Sequence, residues 1–85
     1  MADNIKVRYR AQLAALTGLA EEQFEAATVR DVLRHIREGF GAEAEKKAKT
    51  MLIVVNGESV LQLRHFKTAL RGGDVVSFLP ICGGG

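Results

Sequence analysis

The 85-residue chain is expected to fold as an α+β domain, a mixed four- to five-stranded sheet with one main helix packed on one face. Three observations carry that expectation. "IKVRYR" (5–10) alternates apolar and basic residues. "TVRDVLRHIREGFG" (28–41) repeats its apolar residues at helical spacing. "MLIVVNG" (51–57) and "VVSFLP" (75–80) are apolar runs of strand length.

The first segment puts Ile5, Val7 and Tyr9 on one face and Lys6, Arg8 and Arg10 on the other, as in a half-buried strand. "AQLAALTG" (11–18) is rich in alanine and leucine and stops at Gly18, so it reads as a short helix. "EEQFEA" (21–26) sets Phe24 among acidic and polar residues and suits an edge strand paired with the first. Thr28 with Asp31 forms a capping-box-like helix start, and Val29, Val32, Leu33 and Ile36 make one apolar stripe that Gly39 and Gly41 end. In "AEAEKKAKT" (42–50), Glu43 precedes Lys47 and Glu45 precedes Lys49 by one helical turn, which supports a solvated helical turn with no partner. "MLIVVNG" is apolar on both faces, as a central strand should be, and Asn56-Gly57 signals a tight hairpin into a short strand. "RHFKTALRGGD" (64–74) is a connector, and Pro80 should end pairing of the last strand. The first and last strands are expected to lie side by side, parallel, in the middle of the sheet.

Several function classes are excluded at this level. The longest apolar run, Met51 to Val55, is far short of a membrane span, and "MADNIKVRYR" has no secretory h-region. The lone Cys82 cannot form an internal disulfide, which fits a reducing cytoplasm. His35 and His65 lie far apart and, with one cysteine, do not make a metal site; packing is the cheaper role for His35. No serine is placed with a base, and Gly72-Gly73 lacks the rest of a phosphate loop, so the chain carries no enzyme chemistry of its own. The formal net charge of +2 is too small to argue for nucleic acid, and Tyr9, the one aromatic near Lys6, Arg8 and Arg10, points away from them. Of the readings open to these basic residues and to Arg64, Lys67 and Arg71, an acidic protein partner is better supported than nucleic acid.

The stretch "SFLPICGGG" (77–85) points to chemistry at its end. Glycine passes through narrow channels and adopts φ values other residues avoid. Residues 80–85 can reach about 20 Å from the body, enough to deliver a carboxyl group into another protein's active site. At neutral pH that carboxylate is a poor electrophile and must first be activated, most simply by adenylation, before sulfur or nitrogen attacks it.

Taken in order, "KVRYRAQLAALTG", "ATVRDVLRHI", "IVVNGE", "GGDVVSFLP" and the final Gly84-Gly85 resemble the ubiquitin-like sulfur carriers of the molybdopterin-synthase small subunit (MoaD)/ThiS family over essentially the whole chain. The resemblance implies a β-grasp (ubiquitin-like) domain over 1–80 and a flexible Gly-rich tail over 81–85. It also implies an E1-like activating (adenylyltransferase) enzyme that uses ATP to adenylate Gly85, with no cofactor bound to the chain itself. The acyl-adenylate then becomes a thiocarboxylate that gives sulfur to an accepting synthase subunit. By position, Gly85 bears the reactive carboxyl, and Gly83 and Gly84 thread the tail into the partner's site. The molybdopterin branch often carries a proline pair where this chain has Pro80 alone, then Ile81, Cys82 and three glycines. "GDVVSFLP" favours the molybdopterin side, with thiamine or another sulfur-containing metabolite left open. Cys82 is read as a small apolar filler, with a persulfide or a transient link to a partner cysteine as the alternative.

Two other functions use the same sequence: a protein modifier joined to lysines through the activated terminus, and a non-catalytic interaction domain with an inert tail. In each case the sheet face not covered by the helix is the expected docking surface, with Leu63, Phe66 and Phe78 as candidate contacts and core burial as the competing role of each.

Overall fold

The computed structural model describes residues 4–81. Its elements are β1 (Asn4–Arg8), α1 (Ala11–Thr17), β2 (Glu21–Glu25), α2 (Val29–Phe40), α3 (Ala42–Lys49), β3 (Leu52–Val55), β4 (Glu58–Ser59) and β5 (Val75–Leu79), with short 3₁₀ turns at Val60–Gln62 and His65–Lys67. The strands form one five-stranded sheet in the order β2-β1-β5-β3-β4. As expected, β1 and β5 run parallel at its centre, with Val7 opposite Val76. β2 pairs antiparallel with β1 at one edge, and β3 pairs antiparallel with β5 on the other side. The helices cover one face. Ile5, Val7, Ile53, Val55, Val76 and Phe78 point toward them and join Val29, Val32, Leu33 and Ile36 in one core. Among the described residues no helix is long and apolar enough to cross a membrane.

The main helix starts as its sequence predicts. Thr28 Oγ1 accepts from the Asp31 N–H at 3.3 Å, and Asp31 Oδ2 accepts from the Thr28 N–H at 3.2 Å. Such a cap contributes about 1 kcal/mol. Gly39 continues the helix; Gly41, at φ 102°, is the residue that ends it. That conformation suits glycine because it lacks a Cβ.

The main helix and the short helix before it stand where the sequence puts them; the segment after the main helix, expected as a solvated turn with no partner, needs correction. Residues 42–49 form a regular helix that buries Ala44 and Ala48 at 1% and 0% exposure. They lie one turn apart on a common face, small enough to let α3 approach its neighbours closely. Beside this buried face, Lys49 pairs with Glu45 at 3.9 Å.

The edge strand β2 is tied to the helix layer by a polar contact set in an apolar surround. Glu22 Oε1 accepts from the Tyr9 hydroxyl at 2.8 Å and lies 3.1 Å from His35 Nε2. The His35 ring stacks on Phe24, with centroids 3.6 Å apart and planes at 10°. His35 is therefore a packing residue at the helix–sheet seam. Burial, followed by the hydrogen bond to Glu22, pushes the Tyr9 phenol far above its ordinary range, so it stays protonated and donates.

At the opposite end of the sheet, the Asn56-Gly57 turn has positive φ at both residues, 51° and 88°, the geometry of a two-residue hairpin. Its asparagine also bridges to the entry of β5. Asn56 Nδ2 donates to Asp74 Oδ1 at 3.0 Å, while Asn56 Oδ1 accepts from the Val75 N–H at 2.9 Å. Asp74 Oδ2 accepts from the Arg71 N–H at 2.8 Å. The Arg71 backbone bond, then the Asn56 bond, holds the Asp74 carboxyl below its ordinary value of 3.8. A lowered folded-state value means the unfolded chain binds this proton more readily. The resulting stability is present above the ordinary value and is lost as pH falls through the folded one. Asp74→Asn should therefore be less stable than the parent at neutral pH and lose less further stability between about pH 4 and pH 2. Urea midpoints across that range test this; parallel acid profiles for the two proteins would contradict it.

Candidate functional site

The strand β5 delivers the chain to the site. It ends at Leu79, Pro80 offers no N–H to extend the ladder, and Ile81 stands 64% exposed at the sheet's end. A shallow cleft flanks this point, formed by the start of α1 (Ala11, Gln12), the end of α3 with its following residue (Lys47, Thr50), and Met51. The tail therefore leaves from the seam between sheet and helices, at the C-terminal end of a central strand. Gly83, Gly84 and Gly85, assigned to threading and activation, lie outside the described residues, as does Cys82.

The face of the sheet opposite the helices is uncovered. Strand alternation and register place Leu52 and Val54 of β3 there, across from Leu79 and Ser77 of β5. Lys6 and Arg8 of β1 continue the surface beside Val75 and Ser77. Glu21 and Gln23 of β2 complete it, with Lys6 Nζ 3.6 Å from Glu21 Oε2. The result is graded: an apolar strip of Leu52, Val54 and Leu79 near the tail's root, then cations, then an acidic edge. Its apolar members, Leu52, Val54 and Leu79, are half-buried.

Of the three residues expected on this surface, Phe78 is excluded. It is 0% exposed, on the helix side of β5 opposite Ile53, because it shares the phase of Val76 and not that of Leu79. Phe66 lies half-buried in the second 3₁₀ turn, beside Leu33 and Arg34 of α2. Leu63 is half-buried against the core. Leu52, Val54, Val75 and Leu79 are the apolar residues that take the open face. Their signal in the sequence is Ser77: a polar residue in mid-strand marks the solvent phase and carries its neighbours at 75 and 79 with it. Among the described residues no three histidine, cysteine or carboxylate side chains converge as metal ligands would.

A protein-family model described as the ThiS family matches residues 7–85. A comparison with curated protein sequences gives no match. Among solved structures, small archaeal modifier protein 1 from Methanosarcina acetivorans aligns with a TM-score of 0.82 at 24% identity, covering 100% of this chain and 99% of that one. A putative molybdopterin converting factor, subunit 1, from Pyrococcus furiosus aligns with a TM-score of 0.70 at 29% identity, covering 93% and 98%. A chain from the BexX/CysO complex of Amycolatopsis orientalis aligns with a TM-score of 0.78 at 21% identity, covering 95% and 99%. The sheet order, the helix layer and a family match running from β1 to Gly85 lead to one conclusion: this chain has the β-grasp, ubiquitin-like fold and belongs to the ThiS family.

Proposed function

We propose that this chain is a sulfur carrier whose Gly85 carboxyl group is the working end, and that it acts as a small subunit with partner enzymes and has no turnover of its own. An E1-like activating enzyme docks on the open sheet face and takes the tail into its site. The Gly85 carboxylate attacks the α-phosphate of ATP held by that enzyme, giving the acyl-adenylate and pyrophosphate. Hydrosulfide then attacks the carbonyl and expels AMP, and loss of the sulfur-bound proton leaves a thiocarboxylate. Gly83 and Gly84 suit a narrow channel because they present no side chain. The thiocarboxylate next gives its sulfur to an acceptor synthase subunit in cofactor biosynthesis, with the molybdopterin type favoured over thiamine or another metabolite. This chemistry belongs in a reducing compartment such as the cytoplasm.

The observation that carries this reading is the family match extending to Gly85, on a body whose uncovered apolar strip leads to the root of that tail. Support for the molybdopterin side comes from the Pyrococcus furiosus protein, similar at 29% identity over nearly both chains. Adenylation is tested by pyrophosphate exchange into ATP with the activating enzyme. Exchange should depend on this chain and vanish when Gly85 is removed; exchange that survives the removal would overturn the proposal. If lysine amines attack the adenylate in place of sulfur, higher-mass bands resistant to reductant will appear, and the chain is a protein modifier.

Cys82 has no part in this sequence of steps. Cys82→Ala is expected to carry sulfur at the parent rate in a single-turnover transfer assay, and a clear slowing would assign the thiol a covalent role.

A further inference from the structure

The outer face of the helix layer carries a charged groove that sulfur transfer does not use. Arg30, Arg34 and Arg37 project from one flank of α2, one helical turn apart in succession, a line of about 10 Å. Lys49 of α3 faces them, and Leu33 and the half-buried Phe66 form an apolar floor, so that a groove of about 360 Å³ runs between. All four cations are exposed, and Glu45 is the one anion in the lining. Two of the cations are already engaged: Arg34 with Asp31 at 3.2 Å, and Lys49 with Glu45 at 3.9 Å. Among the described residues Arg30 and Arg37 have no carboxylate within ion-pair distance. In a chain whose net charge is only +2, this is a local concentration of positive charge and not a property of the whole surface.

We propose that this groove is a second docking surface, which takes an acidic peptide segment of a protein partner with an apolar side chain seated on Phe66. Guanidinium groups bind carboxylates through paired, planar hydrogen bonds, and three in line match carboxylates displayed along one peptide. The apolar floor gives such a segment an anchor that a purely ionic contact lacks. A nucleic-acid strand fits less well: it needs successive stacking surfaces, and Phe66 is the single aromatic ring in the groove, with Glu45 on its rim. The groove is built on α2, α3 and the second 3₁₀ turn, whereas the open face is the opposite side of the sheet. A partner held here leaves the sheet face and the tail root free, so the carrier could stay tethered while its terminus is processed elsewhere.

The test uses the full chain and a fluorescein-labelled, glutamate-rich peptide with one central phenylalanine, followed by fluorescence anisotropy at moderate salt. Saturable binding is expected, weakening about tenfold or more in the double variant Arg30→Glu, Arg37→Glu. It should be unchanged in Lys6→Glu, Arg8→Glu, which alters the open face. Circular dichroism of both variants confirms that they fold, since all four side chains reach solvent. Backbone amide shifts on titration should centre on residues 30–37 and 66. The proposal is overturned if the peptide does not saturate, if both double variants lose binding equally, or if a single-stranded RNA of matched charge binds more tightly than the peptide.

Discussion

Phe78→Ala is expected to lower stability by about 3–5 kcal/mol, the usual cost of deleting a buried aromatic ring. Phe78 is the fourth of the five residues of β5, with no exposed surface. Its ring stacks near Tyr9 with centroids 6.3 Å apart, and its backbone lies opposite Ile53. Nothing on the solvent side can move in to fill the space, because the helices close it from the other face. Small domains hold about 5–15 kcal/mol of total stability, with chains of this length near the lower end, so the loss should leave a large unfolded fraction. Urea denaturation measures it. A loss under about 1 kcal/mol would show that the ring is not in the core. Because β5 carries the tail, the same variant should also lose activation through unfolding and not through chemistry.

The opposite outcome is expected on the other face of the same strands. Leu52→Lys combined with Leu79→Lys places two cations in the apolar strip at the tail's root, where Leu52 and Leu79 face each other across the β3–β5 ladder. The side chains are half-exposed and the lysine heads can reach water, so the fold should survive with a modest change in urea midpoint. Docking of the activating enzyme should weaken about thirtyfold or more, since desolvated centres of interfaces carry energies of 2 kcal/mol and above. Binding measured by calorimetry, beside the urea midpoint of the same sample, separates the two effects. Undiminished binding would move the docking surface away from the open sheet face. Lys6→Glu with Arg8→Glu, further from the tail, should change the salt dependence of binding more than its strength.

These two variants also mark where the sequence is legible. The alternation of Ile5, Val7 and Tyr9 gave β1 its buried face, and the stripe from Val29 to Ile36 gave α2 its own, because each pattern is local and complete within one element. Asn56-Gly57 was equally local, a turn written in two residues. Phe78 was different. "VVSFL" has apolar residues in both phases, so its phase rests on the one polar residue, Ser77, a slight signal that the register against β1 and β3 makes definite. The open-face strip is assembled from β3 and β5, which are adjacent in space and twenty residues apart in sequence, so no window of the sequence contains it. The alanines of α3 misled for a related reason: in a segment dense with lysine and glutamate, Ala44 and Ala48 carry little hydropathy, and their value lies in smallness at a close approach.

The central claim concerns a single atom at Gly85. The most direct measurement is the intact mass of the chain after incubation with its activating enzyme, ATP and a sulfide source, beside the same reaction on a chain lacking Gly85. The expected result is a gain equal to the exchange of one oxygen for sulfur, localised to the C-terminal peptide and lost without Gly85. An unchanged mass while pyrophosphate is released, or a gain that persists in the shortened chain, would contradict it.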